Sequence, residues 1–249
     1  MNDETPRMRM FAGPNGSGKS VLKSYLPEPL LGVYLNPDEI EAGVNTRGYL
    51  DFRDFGLASL TAAEVLPNFI GSDFLSREGF GGQAARLTFA NGRLDFPPGV
   101  MNAYFASVAA DMIRQALVAR KATFTFETVM SHPGKVSLLQ QAQAEGYRTY
   151  LYYVATEDPA INISRVANRV ALGGHAVPEG KIVERYHRSL GLLMEAIRHS
   201  HRAYIFDNST DNADGKHTWL AEITEGRKLE LKTDRIPSWF KRAVMDPIT

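Results

Sequence analysis

The chain has no cysteine among its 249 residues and no surplus of either charge, with 28 Lys and Arg set against 28 Asp and Glu. The first absence removes disulfide frameworks, thiolate zinc sites, iron–sulfur clusters and cysteine nucleophiles. The second argues against broad nucleic-acid or polybasic membrane binding, both of which draw on excess Lys and Arg. No run of about 18 apolar residues occurs, so no transmembrane helix is expected. Residues 1–9 mix Asp3, Glu4, Arg7 and Arg9 with few apolar side chains and lack the apolar stretch of a secretory signal. A cytoplasmic setting is the expectation. Repeats and low-complexity tracts are also missing.

What is present describes an ordinary globular protein: 44% hydrophobic and 22% charged residues. A chain of this length buries roughly 70–75% of its unfolded surface and needs no covalent or metal staple. An apolar run at residues 8–12 stops at Gly13 and reads as a buried strand. Residues 18–26 read as a helix ended by Pro27 and Pro29, and 33–35 as a second strand. Asn36-Pro37 opens a helix with Asp38 and Glu39 in its first turn.

From about residue 47 to 99 the periodicity breaks at Gly71, Gly79, Gly81, Gly82, Gly92, Pro97, Pro98 and Gly99. This predicts a loop-rich insertion carrying one short helix near 57–66. Tyr104, Phe105, Val108, Ala109, Met112, Ile113, Ala116 and Leu117 then recur at helical spacing. Phe124 and Phe126 alternate with Thr123 and Thr125 in a strand ending at Glu127. A helix over 133–145 closes at Gly146, and 147–155 is a nearly continuous apolar strand, as in a parallel sheet covered on both faces. The tyrosines at 147, 150, 152 and 153 read as core and sheet-face residues. Helices over 158–172 and 178–200 flank Gly173-Gly174-His175, and a strand over 202–206 ends at Asp207. Residues 219–223 and 228–231 form a hairpin about Glu225-Gly226.

One motif dominates. Gly13, Pro14, Asn15, Gly16, Ser17, Gly18, Lys19 and Ser20 satisfy G-x-x-x-x-G-K-[ST] between a strand and a helix, the pattern of a P-loop. Its glycines let successive N–H groups face one cavity, and the helix amino terminus adds partial positive charge. Lys19 would reach β- and γ-phosphates, and the Ser20 hydroxyl would ligate Mg²⁺. The expected fold is therefore α/β, a single P-loop kinase-like domain over 1–249. Its sheet is mostly parallel and flanked by helices, with the insertion at about 47–99 and an extension at about 210–249 that carries the hairpin. An LSGGQ-like signature, a strand ending in Asp-Glu and an Asn-Lys-x-Asp base-reading motif are all missing, which leaves small P-loop kinases ahead of transporters and GTPases. Ser131-His132-Pro133 has no acidic orienter at a recognisable spacing, so no hydrolase triad is read.

Several segments in this order resemble the zeta-toxin family of P-loop kinases, particularly its short chromosomal members. They are MFAGPNGSGKS (10–20), LNPDE (35–39), FTFETVMSHPG (124–134) and GYRTYLYYVA (146–155). The stretch from residue 165, with NRVALGGHAVPEGKIVERYHRSL, and RAYIFDNS (202–209) continue the series. The resemblance spans roughly 8–209 apart from the insertion. It implies ATP- and Mg²⁺-dependent phosphorylation of a hydroxyl on UDP-N-acetylglucosamine, and a small antitoxin protein as a possible partner. Lys19 and Ser20 match the P-loop Lys and the Mg²⁺-binding hydroxyl, and Asp38 matches the catalytic base. Asp111 falls where the family has a sugar-contacting glutamate. Glu127 and Thr128 match the strand-end Glu and nearby Thr of the substrate pocket. Arg169 matches the first of two phosphate-sensing arginines, and the second falls at or near His175, so one expected Arg is missing.

Each of these residues also has a plainer reading. Asp38 could complement a helix dipole, Asp111 could be a solvated carboxylate, and Glu127 could sit in a structural salt bridge instead of binding Mg²⁺ or acceptor. Arg165, Arg169, Lys181, Arg185 and Arg188 are either a solvated helix face or a lid over triphosphate. His175 either touches phosphate or shapes its loop, Ser131 and His132 could contact the acceptor, and Asp207 is a metal carboxylate or part of an Asp-Asn-Ser turn. The functional expectation is transfer of the ATP γ-phosphoryl to a small-molecule hydroxyl, by resemblance that of a UDP-activated amino sugar. The alternatives are another hydroxyl acceptor, such as a nucleoside or other nucleotide, or an ATPase or switch without transfer.

Overall fold

The computed structural model describes residues 5–174, 176–210 and 216–248. In chain order its elements begin with β1 (Arg7–Ala12), a 3₁₀ helix (Lys19–Tyr25), α1 (Glu28–Leu31), β2 (Val33–Leu35), α2 (Pro37–Arg47) and β3 (Tyr49–Asp51). They continue through α3 (Ala62–Ile70), α4 (Asp73–Arg77), α5 (Gly81–Ala84), β4 (Thr88–Ala90), β5 (Arg93–Asp95) and α6 (Ala103–Ala119). Next come β6 (Phe124–Thr128), α7 (Pro133–Ala144), β7 (Arg148–Ala155), α8 (Pro159–Ala171), α9 (Glu179–Gly191) and α10 (Leu193–Arg198). Then follow β8 (Arg202–Asp207), β9 (Thr218–Thr224), β10 (Lys228–Leu231) and α11 (Ser238–Phe240), which runs on into a π-helical turn (Lys241–Met245) and α12 (Asp246–Ile248). Two compact units divide it: Met1–Leu31 with Thr125–Thr249, and Gly32–Phe124.

In the first unit the strands run in the order β10-β9-β8-β7-β1-β6. β1, β7 and β8 are parallel, and β9 and β10 add the antiparallel hairpin at one side. The central strands are buried on both faces: Met8, Met10, Phe11 and Ala12 in β1, and Leu151 to Ala155 in β7, are core residues. That is why their sequences read as continuous apolar runs without alternation. Pairing Ala12 with Tyr153, and Ala155 with Asp207, brings the carboxyl ends of β1, β7 and β8 together. The loops that follow these strands therefore emerge side by side, as open α/β sheets require of a ligand site.

The helices that follow β6 and β7 start by one device, a capping side chain followed by proline. His132 and Asp158 accept from the backbone N–H two residues on, and Pro133 and Pro159 fill the first helical position. A cap of this kind contributes about 1 kcal/mol, and proline there sacrifices no hydrogen bond. The expected helix after the P-loop is instead the 3₁₀ turn Lys19–Tyr25. Val21 N–H bonds back to Gly18 O at 3.1 Å. The Ser24 hydroxyl occupies Val21 O at 2.7 Å, and Pro27 follows too soon for an i→i+4 ladder to grow. The helix expected over 178–200 is two helices, α9 and α10, broken at Gly191-Leu192.

The second unit is more regular than its glycines suggest. β3, β5 and β4 make a small antiparallel sheet, and α3, α4 and α5 lie where a single short helix was expected. α3 opens with a capping box between Thr61 and Glu64. α2 and α3 both pack on α6, whose amino end is capped by Asn102. Aromatic rings knit the core: Phe69–Phe96 at 6.3 Å, Phe96–Phe105 at 6.0 Å and Phe80–Phe105 at 5.9 Å between centroids, all edge-on. Such pairs contribute about 0.5–1.5 kcal/mol each beyond the area they bury. On the small sheet, Asp51 accepts from the guanidinium groups of Arg53 and Arg93, and these bonds hold its carboxyl well below the usual range. Among the described residues no helix is long and apolar enough to cross a membrane.

Candidate active site

The loop from Gly13 to Ser20 leaves the carboxyl end of β1 and is braced by side chains from two other elements. On α8, the fully buried Asn162 donates from Nδ2 to Asn15 O at 2.6 Å, and its Oδ1 accepts from the Thr156 hydroxyl. After β8, Asn208 donates from Nδ2 to Ser17 O at 2.9 Å, while its own carbonyl accepts from Arg165 at 2.7 Å. Because a trans peptide holds C=O and N–H on opposite sides, tying back the carbonyls of Asn15 and Ser17 turns the amides of Gly16 and Gly18 the other way. This is the geometry in which backbone N–H groups gather around an anion.

Two glycines show how close this bracing is. Gly16 has φ +73°, and a Cβ there would lie 2.6 Å from Asn162 O. Gly18 has φ +94°, and its Cβ would lie 2.5 Å from Asn208 Nδ2 and 2.8 Å from His217 Nε2. Both positions combine left-handed backbone with no room for a side chain, so only glycine fits.

Lys19 folds its ammonium back over the loop, donating to Gly13 O at 2.9 Å and Pro14 O at 3.0 Å. It is thereby held at the loop, where a phosphate would compete for the same donor. Arg185, on α9, reaches the loop from another side, with Nη1 3.5 Å from Asn15 Oδ1. α9 is fixed in turn: the Tyr186 hydroxyl donates to Thr156 O at 2.6 Å, and Tyr153 and Ser189 share a buried hydroxyl–hydroxyl bond at 3.0 Å. Burial pushes the Tyr153 and Tyr186 phenols up, so both stay protonated.

His217 packs behind Gly18. Its ring meets Tyr25 at 5.6 Å and Phe206 at 6.3 Å, and both ring nitrogens are buried without a hydrogen-bond partner. Burial first, and the positive charge of Arg165 second, hold its pKa down at about 4. The imidazole is thus neutral at pH 7. Ser17 Oγ is likewise buried and unpartnered beneath the loop.

The other expected site residues are distributed as follows. Glu127, 6% exposed, lies near the end of β6, which neighbours β1 in the sheet order. Thr128 accepts from Met130 N–H at 3.1 Å, which shapes the turn leading to Ser131. His132 caps α7, its Nδ1 accepting from Gly134 N–H at 3.1 Å. Ser20 is exposed in the first turn of the 3₁₀ helix, and Arg169 is exposed near the end of α8. His175 lies outside the described residues. Asp207 is committed to structure: its carboxylate accepts from Trp239 Nε1 at 2.8 Å and from the Ser209 hydroxyl at 2.6 Å.

Asp38 and Asp111 belong to the second unit. Asp38 is exposed in the first turn of α2, where Asn36, not Asp38, is the cap: Asn36 Oδ1 accepts Asp38 N–H at 2.9 Å. Asp111 is half exposed and ion-paired with Arg114 one turn along α6, whose guanidinium is 3% exposed. Burial pulls the Arg114 pKa down to about 10.

As a Mg²⁺ donor set, Ser20 and Glu127 offer one hydroxyl and one carboxylate. That sparse set suits an ion that keeps several waters and takes the rest of its octahedron from substrate phosphates. Among the described residues no group of three or more His, Asp or Glu side chains could form an all-protein cage. Asn162, Asn208, Arg185 and His217 carry none of the motif signals by which the P-loop was read. Asn208 and Arg185 lie inside segments that carry the resemblance, in a turn and a basic stretch, but no contact with the loop is read from the sequence for either.

A mostly parallel sheet flanked by helices, feeding this loop at its carboxyl edge, places the chain in the P-loop kinase-like class of α/β folds. Residues 100–217 match the family model described as Zeta toxin, so the resemblance read from the sequence holds over that span. Among solved structures the chain is similar to AvrRxo1-ORF1:AvrRxo1-ORF2 with sulphate ions, at TM-score 0.53 and 14% identity. The match covers 92% of this chain and 62% of that one, so this protein spans under two thirds of its length. The native AvrRxo1-ORF1:-ORF2 complex gives TM-score 0.51 at 14% identity, with 92% and 62% covered. No curated protein matches the chain.

Proposed function

We propose that this protein is an ATP-dependent small-molecule kinase that transfers the γ-phosphoryl group to a hydroxyl, that of a UDP-activated amino sugar such as UDP-N-acetylglucosamine. The observation that carries the reading is the braced loop: carbonyls tied back by Asn162 and Asn208, amides turned the other way, and Lys19 held over it. A binding site for polyphosphate needs this preorganisation, because donors already in place cost no rearrangement when the anion arrives. The family-model match supports a kinase, and the UDP-sugar acceptor rests on the resemblance of the motifs.

In this mechanism the loop amides and Lys19 hold the β- and γ-phosphates, and Arg169 approaches them from α8. Mg²⁺, held by Ser20 and Glu127, would neutralise and orient the phosphate oxygens. Thr128, Ser131 and His132 contribute to acceptor binding, and the resemblance assigns the acceptor's proton to Asp38 and a sugar contact to Asp111. Catalysis is then positioning plus electrostatics. AvrRxo1-ORF1 is found with AvrRxo1-ORF2, and a small antitoxin-like protein is the corresponding partner proposed for this chain. The test is incubation with ATP and Mg²⁺ and a panel of nucleotide sugars, nucleosides and nucleotides, read by product mass. One added phosphate on a UDP-amino sugar is the expected result. ADP release with no phosphorylated product on any acceptor would replace the kinase by an ATPase or switch.

A further inference from the structure

The least explained charge near the loop is Arg185. Among the described residues its hydrogen-bond partner is the neutral Asn15 side chain, at 3.5 Å, and no ion pair engages it. One turn further along α9, Arg188 is neutralised by Glu184, as an ordinary solvated helix arginine is. No acidic residue occurs between Gly13 and Ser20 either. The protein therefore keeps an uncompensated guanidinium against a loop built to hold an anion. A contact of 3.5 Å to an amide oxygen is weak and easily exchanged, whereas a phosphate would accept two parallel N–H bonds from the guanidinium fork.

The position is held firmly. Tyr186, the next residue, is pinned to Thr156 O, and Thr156 also bonds Asn162, which braces Asn15 itself. Arg185 and the loop are thus referenced to the same few atoms at the end of β7.

We propose that Arg185 is a catalytic residue that contacts the transferring phosphate and supplies the second positive charge alongside Arg169. The inference rests on the kinase reading for its chemistry. The acceptor oxygen forms its bond to the γ-phosphorus as the bond to the β,γ-bridging oxygen breaks. ADP leaves with that electron pair, and the hydroxyl proton passes to Asp38. Arg185 balances charge on the γ- and β-phosphate oxygens during this exchange.

Two measurements on the full chain test it. In the first, calorimetric binding of inorganic tripolyphosphate to Arg185→Ala should weaken about ten-fold or more, with Arg185→Lys intermediate, since a charge-assisted bond is removed. Tripolyphosphate affinity at the wild-type value in a folded Arg185→Ala would overturn the proposal. In the second, kcat for phosphotransfer should fall by about 10²–10³-fold, more than the KM for ATP rises, and added guanidinium should recover part of it. A loss of kcat accompanied by a lowered melting temperature, with no guanidinium rescue, would make Arg185 structural and also overturn it. If wild type phosphorylates no acceptor while Arg185→Ala still loses tripolyphosphate, the anion contact stands and the kinase reading falls.

Discussion

The two compact units solve the burial of polar groups in opposite ways. In the second unit the buried charges Asp51 and Arg114 are met by opposite charges, Asp51 by two guanidinium groups and Arg114 by Asp111, within a core dominated by aromatic rings and aliphatic side chains. In the first unit, around the loop, the polar side chains serve the backbone: Asn162 and Asn208 satisfy carbonyls of Asn15 and Ser17, and Arg165 satisfies that of Asn208. The same neighbourhood leaves Ser17 Oγ and both nitrogens of His217 buried and unmatched. A region optimised for stability alone would not retain such groups, each of which costs about 1–3 kcal/mol when desolvated without a partner. The contrast teaches that shape at the loop is bought with stability, while the second unit is built for cohesion.

The sharpest way to test this contrast is Lys19→Ala, which removes the loop's ammonium without touching its braces. Phosphotransfer should fall by several orders of magnitude with the melting temperature nearly unchanged, as measured by turnover and thermal denaturation. Unchanged turnover would take the loop out of the mechanism. Next comes Asp38→Asn, which asks whether the cohesive unit also contributes chemistry. Since Asn36 is the cap, the substitution leaves α2 capped and removes only charge. A general base predicts a drop of about 10²–10⁴-fold in transfer at unchanged nucleotide affinity. A carboxylate that merely complements the helix dipole predicts wild-type rate and a stability change of about 0.3–1 kcal/mol.

Acid sensitivity separates the units more gently. His217 has a folded pKa of about 4 against an ordinary value of 6.5, so the unfolded chain takes up a proton that the folded one refuses. Its contribution to stability is present above pH 6.5 and is lost as pH falls from about 6.5 toward 4. His217→Leu should flatten that part of the denaturation-versus-pH curve, and an unaltered curve would show the ring to be solvated. The smallest effect is expected at Asp51. Its carboxyl is depressed by Arg53 and Arg93, so it stabilises above the ordinary carboxylate range and loses that contribution only in stronger acid. Asp51→Asn should lower the melting temperature by a few degrees at neutral pH, and by less as the medium is acidified. A deficit independent of pH would mean that packing, not charge, is what Asp51 supplies.

The α/β order, the strand limits in β1, β7 and β8, and the P-loop were legible because periodicity and glycine spacing are local signals. Expectation failed once on a local detail, the turn after the P-loop, and otherwise where the deciding contact was distant in sequence. Residues 18–26 read as a helix, but Ser24 and Pro27 make a 3₁₀ turn of them. The glycines of 71–99 read as loop, yet Phe69, Phe80, Phe96 and Phe105 organise them around one ring cluster. At the site, Asn162 lies 147 residues from the loop carbonyl it binds and Asn208 lies 191 from its own. No window of sequence carries such a pairing. Arg185 was visible only as one of several basic residues, and its nearness to Asn15 is a property of the fold.

The bond from Trp239 to Asp207 sets an order of events during synthesis. Asp207 ends the strand from which Asn208 reaches the loop, and its carboxylate is shared between Ser209 and an indole 32 residues further on. Trp239 also packs on Tyr153, and Ser238 N–H holds Glu157 at 2.9 Å, so one short segment secures the ends of two strands beside the loop. A nascent chain emerging from the ribosome can assemble β1, β7 and β8 early, yet it lacks this clasp until residue 239 has cleared the exit tunnel. The bracing of the strand ends beside the loop is therefore completed only once that segment has docked.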